Sequence, residues 1–167
     1  MKKVFVFLFS LASFIGYSQT NDVVDIAISS KDHTTLVAAV TAADLVTTLK
    51  GKGPFTVFAP TNAAFEKLPA GTVENLLKPE NKASLSKILT YHVISGNLDA
   101  AAVLAAIKKG KGKAVLTTVS GGTLVGSLED DKVKLTDESG NSAYVIVADL
   151  KGSNGVVHVI DGVVLPK

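Results

Sequence analysis

The chain has 167 residues, of which 47% are hydrophobic and 19% charged, with no Cys and a formal net charge of +2. That length and balance suit one folded domain and argue against a disordered chain. The missing Cys excludes disulfides, thiolate metal sites, iron–sulfur clusters and cysteine nucleophiles, while a small charge carried by Lys without any Arg argues against a nucleic-acid partner.

Residues 1–18 (MKKVFVFLFSLASFIGYS) are unlike the rest. Lys2 and Lys3 precede an apolar run from Val4 to Ile15. Gly16 and Ser18 are small residues placed for a cut before Gln19. A charged start, an apolar middle and a small-residue exit form the pattern of an export signal. The run is short for a membrane-spanning helix, which needs about 20 residues. The expected product is residues 19–167, secreted or periplasmic and without stable membrane insertion. It has no net charge, because Lys2 and Lys3 carry the whole +2.

Asp22 to Ser30 reads as a helix with Val23, Val24, Ala27 and Ile28 at helical spacing. Leu36, Val40, Ala43 and Val46 predict a second helix, capped by Asp32 or Thr34 and ended at Lys50-Gly51. Phe55 to Phe58 is a short strand after Gly53-Pro54. Pro60-Thr61-Asn62 starts a helical turn that Asn62 can cap. Asn81 to Leu89 is a further short helix, and Tyr91 falls on an apolar strand between Ile88-Leu89 and Val93-Ile94. Asp99 caps the next helix, with Leu98 and Val103 as a hydrophobic staple and Lys108 and Lys109 at its negative dipole end.

The second half reads as strands. Lys113 to Ser120 and Thr123 to Leu128 flank Gly121-Gly122, a pair suited to a tight hairpin with positive φ. Val133 and Leu135 alternate with Lys132, Lys134 and Thr136, giving one wet face. Asp137 to Asn141 is a turn. Ala143 to Leu150 and Val156 to Asp161 are strands joined through Gly152–Gly155, and Val163 to Leu165 is a last short strand. The fold class is α+β, with helices first and an antiparallel meander packed against them.

Three blocks carry more information than composition: FTVFAPTNAAFEKLPAGT (55–72), ILTYHVISG (88–96) and NGVVHVIDGVVLP (154–166). In this order and spacing they resemble the fasciclin (FAS1) domain over about residues 21–166. The resemblance implies a wedge of two small, mainly antiparallel β-sheets flanked by helices. It also implies a role in cell adhesion, matrix or cell-surface contacts. Many family members have Asp where this chain has Asn62, so a carboxylate-dependent role at that position is not expected.

Two readings of Tyr91-His92 stand side by side. In animal members the segment around this pair is implicated in integrin binding, which would make it a partner contact; a buried hydrogen-bonding anchor explains it as well. His158 reads as a core histidine near Asp161 or His92. No Gly-x-Ser-x-Gly elbow accompanies any His, and His33, His92 and His158 are too far apart in sequence for a metal motif. Glu129-Asp130-Asp131 lacks the pattern of a calcium loop. Lys108, Lys109, Lys111 and Lys113 form a local basic segment suited to a polyanion contact, or simply a charged helix end. No catalytic, metal or cofactor residue is identified. The expected function is a non-enzymatic module binding a cell-surface or matrix protein or polysaccharide. With no Trp and no Arg to anchor an interface, single-site affinity should be weak. The alternative is a carrier of a small apolar ligand in a groove between helices and sheets.

Overall fold

A computed structural model describes residues 21–167; the expected export signal lies outside the described residues. The first helix, α1 (Val23–Ser29), opens with a capping box in which Asp22 accepts from the Val24 and Asp25 N–H groups and Asp25 accepts from the Asp22 N–H. Val23 and Val24 are buried, but Ile28 is 56% exposed because the last turn of this short helix runs past the core.

The long helix predicted from Leu36 to Val46 is two helices, α2 (Thr34–Ala42) and α3 (Val46–Leu49). Asp44 takes a left-handed φ of 56°, and the Leu45 N–H turns back to the Val40 carbonyl, which ends α2. Leu36, Val40 and Ala43 still face the core. Neither Asp32 nor Thr34 caps α2. Its N-cap position is His33, whose side chain makes no capping bond, and Asp32 lies in the tight turn Lys31–His33 just before it.

Strand β1 (Phe55–Pro60) leads into α4 (Asn62–Glu66), α5 (Thr72–Leu76), α6 (Lys82–Tyr91), β2 (Val93–Ser95) and α7 (Ala100–Lys109). Tyr91 is thus the last residue of a helix rather than part of a strand. The buried Leu85 and Leu89 lie four residues apart on its inner face, and this helical period carries α6 beyond Leu89. Helix α7 starts at Asp99, whose carboxylate accepts from the Ala102 N–H at 2.8 Å.

The remaining strands are β3 (Lys113–Thr117), β4 (Thr123–Glu129), β5 (Lys132–Thr136), β6 (Ser142–Gly152) and β7 (Gly155–Ile160). They form the expected antiparallel meander. The β3–β4 loop closes by a bond from the Thr118 N–H to the Gly122 carbonyl, and only Gly121 of its glycine pair has positive φ. Residues Val163–Leu165 are not a strand, since side chains rather than a neighbouring strand take the N–H groups of Val164 and Leu165.

The seven strands lie in the order β2-β1-β7-β6-β5-β4-β3, with β1 and β7 parallel. The expected two sheets are two halves joined by β6. Its residues Ser142–Tyr144 pair with β5 and Val145–Gly152 pair with β7, with register shifts after Val145 and Val147. Such bulges bend a strand. A bond from the Val119 N–H to the Val93 carbonyl links the segment after β3 back to β2. Two apolar clusters fill the interior. One packs Leu36, Ala39, Leu85 and Leu89 against Val157. The other packs Phe58, Tyr91, Ile107, Leu124 and Leu135 around Ile160.

Candidate functional site

Of the motif residues singled out in the sequence, Tyr91, His92 and His158 are buried, whereas Asn62 and Asp161 are partly exposed. Tyr91 is 0% exposed and His92 2% exposed. Placing Tyr91 at the end of α6 aims its ring between the β3–β4 loop and the turn after β5. Its hydroxyl donates to the Thr123 carbonyl at 2.6 Å and accepts from the Glu138 N–H at 3.2 Å. Burial pushes the phenol pKa up. Gly122 leaves room for the ring, since a Cβ there would lie 2.7 Å from Cε2 of Tyr91. His92 donates from Nδ1 to the Ile88 carbonyl and accepts at Nε2 from the Val164 N–H, which fixes a neutral tautomer. Burial lowers its pKa to about 4, against the opposing effects of the Ile88 carbonyl and Asp137. With both polar ends occupied and the pair enclosed, Tyr91-His92 presents no contact surface in this fold.

His158 pairs with neither His92 nor Asp161. Its Nε2 donates to the Leu98 carbonyl at 2.7 Å, its Nδ1 accepts from the Asp149 N–H, and its ring stacks on Phe58. Asp161 instead accepts from the Tyr144 N–H at 2.8 Å. Asn62 does not cap its own helix, because Thr61 accepts from the Ala64 N–H there. It reaches across to α2, accepting from the Thr35 N–H and donating to the Lys31 carbonyl. An Asp at this position has no donor for that carbonyl. His33 contacts the Ser30 hydroxyl through Nδ1, and burial lowers its pKa.

Three further residues do similar work and were not singled out in the sequence. Thr56 accepts from the Leu98 N–H and donates to the Gly96 carbonyl. With His158, it holds the segment that launches α7. Asp137 accepts from the N–H groups of Ser139, Asn141 and Leu165, fastening the C-terminal segment to the turn after β5. Asn154 accepts from the Val23 N–H and donates to the Leu49 and Gly51 carbonyls. The available signals were a Thr inside an apolar strand and an Asn in a glycine turn, both of which have commoner local explanations.

Lys108, Lys109, Lys111 and Lys113 are exposed at the end of α7. The Gly112 N–H bonds to the Ile107 carbonyl and the Lys111 N–H to the Lys108 carbonyl, a Schellman closure with Lys111 at a left-handed φ of 55°. Among the described residues, no group of three or more His, Asp or Glu is arranged to hold a metal ion. No described helix is long and apolar enough to cross a membrane. The apolar interior between α1, α2 and β1 contains a cavity of about 50 Å³. Small-molecule sites start at about 300 Å³, so this space does not suit the apolar-carrier alternative.

The fold matches a known class. The fasciclin domain profile matches residues 31–166, and the chain belongs to that family, which is associated with cell adhesion proteins. It is 52% identical over 144 residues to protein sll1483 of Synechocystis, a match covering 86% of this chain and 73% of that one. It is 38% identical over 123 residues to the cell surface glycolipoprotein MPB83 of Mycobacterium bovis, covering 74% of this chain and 48% of that one. Among solved structures, it superposes on a FAS1 domain pair from the insect cell adhesion molecule fasciclin I with a TM-score of 0.61 at 23% identity. That match covers 75% of this chain and 42% of the other, and it shows the shared fold.

Proposed function

We propose that this chain is an exported, non-enzymatic interaction module that holds a cell-surface or matrix protein or polysaccharide through its outer surface. One observation carries this reading. The imidazoles of His92 and His158 and the phenol of Tyr91 are all spent on backbone groups. None of these three is left beside a nucleophile as a general base, and the His33 ring, which contacts the Ser30 hydroxyl, is buried at 5% exposure. The family's association with adhesion proteins and the export pattern of residues 1–18 support the same reading. Single-site binding is weak, about micromolar or weaker, because interface anchors are typically Trp, Tyr and Arg. Many copies at a surface would raise the avidity.

The test compares the chain displayed densely on beads with the same chain free in solution, against isolated surface material. Retention on the beads, with a free-chain dissociation constant of about micromolar or above, is expected. No retention at any density would contradict the adhesion role, and nanomolar binding by the free chain would contradict the weak-affinity part.

A further inference from the structure

We infer that the open basin between the α3–β1 turn and the β6–β7 turn is an anionic-polysaccharide site, with Lys52 and Lys151 holding sugar carboxylates. The inference rests on the adhesion reading above and gives it a ligand class and a place.

The basin is an open depression of about 760 Å³, and its charged lining residues are Lys50, Lys52 and Lys151, with no Asp or Glu among them. Lys50 is occupied by Asp22 and Asp25, at 3.0 and 2.6 Å. Lys52 and Lys151 are exposed and, among the described residues, form no salt bridge. Once Lys2 and Lys3 are set aside the chain has no net charge, so two unpaired lysines on one concavity are a local excess of positive charge. It offers charge complementarity to an anion.

The floor is preformed. A Cβ on Gly53 would lie 1.8 Å from the Asn154 carbonyl oxygen, and one on Gly155 would lie 2.0 Å from the Phe55 carbonyl oxygen. Backbone therefore packs on backbone, and no side chain from either glycine fills the space. Asn154 locks the same turns through its bonds to Val23, Leu49 and Gly51. A rigid floor loses little conformational entropy when a ligand settles on it.

The lining also selects among anions. No aromatic residue lines the basin to stack a nucleobase. Neither Trp, Tyr nor Arg lines it to anchor a protein partner. Asn97 and Ser153 add neutral hydrogen-bonding groups beside the two ammonium groups, which suits a chain carrying both hydroxyls and carboxylates.

The probe is an oligogalacturonate, titrated against the full chain and followed by amide chemical shifts, with a neutral maltooligosaccharide and polyglutamate alongside. Wild type should bind oligogalacturonate weakly, with shifts at the two turns, and bind less as salt rises. Lys52→Ala with Lys151→Ala should weaken binding about tenfold without lowering the melting temperature, since both side chains are exposed. Lys108→Ala with Lys109→Ala should leave binding near wild type. Undiminished binding in the Lys52/Lys151 variant, loss confined to the Lys108/Lys109 variant, or polyglutamate bound as tightly as oligogalacturonate would each overturn the assignment. If beads carrying wild type retain surface material but oligogalacturonate does not bind, the basin assignment fails and the adhesion role stands. If they retain nothing, both fail.

Discussion

Asn154 spends every polar group of its side chain on backbone more than a hundred positions away, at Val23, Leu49 and Gly51. Replacing it by Ala leaves one N–H and two carbonyls without those partners. Asn154→Ala should therefore destabilise the domain by about 3 kcal/mol, read as a lower urea midpoint with an unchanged slope. His92 supplies a pH signature. Its folded pKa, about 4, lies below the 6.5 of a free histidine, so the unfolded chain takes up the proton first. Its contribution is complete above pH 6.5 and is lost as pH falls toward 4, by about 3 kcal/mol at most. His33 is shifted in the same direction. Denaturation midpoints should fall between pH 6.5 and 4.5, before the carboxylates protonate, and His92→Asn should flatten that slope from a lower starting stability. A midpoint constant across this range in wild type would contradict the buried neutral imidazole.

At the scale of elements, the loop after α7 places Lys111 in the left-handed region, where Gly is the favoured residue. Lys111→Gly should raise stability by about 1 kcal/mol, seen as a higher melting temperature; a decrease would mean that the Lys side chain makes a contact worth more than the strain. This helix also marks what could be read in the sequence. Its cap at Asp99, its staple and its terminal lysines are all local features, and the structure has the helix in that place. Asp44 was harder to read, because apolar spacing continues across it from Leu36 to Val46 and only its φ reveals the break. The parallel pairing of β1 with β7 joins residues about a hundred positions apart, beyond any local pattern. The same limit hid Thr56 and Asn154, whose partners are remote in sequence. Val163–Leu165 misled in the opposite sense. Its apolar residues suit a strand, but His92 and Asp137 take the N–H groups that a neighbouring strand would need.

For the whole molecule, the polar residues of the motif blocks and those around them act as cross-links among helices, turns and the C-terminal segment. The sheet halves meet at β6, Thr56 and His158 set the start of α7, and Tyr91 and His92 tie the end of α6 to the β-rich half. The polar ends of Tyr91, His92 and His158 are consumed in building the domain. Under the proposed function, contact with a partner is left to exposed groups such as Lys52 and Lys151. This division of labour is tested most directly by Tyr91→Phe, which removes only the hydroxyl. Its melting temperature and its retention of surface material on beads are measured on the same folded preparation. Retention per folded molecule should equal wild type, with stability lower by about 1–2 kcal/mol from the unpaired Thr123 carbonyl and Glu138 N–H. Undiminished stability with lost retention would contradict it and make Tyr91 a contact residue.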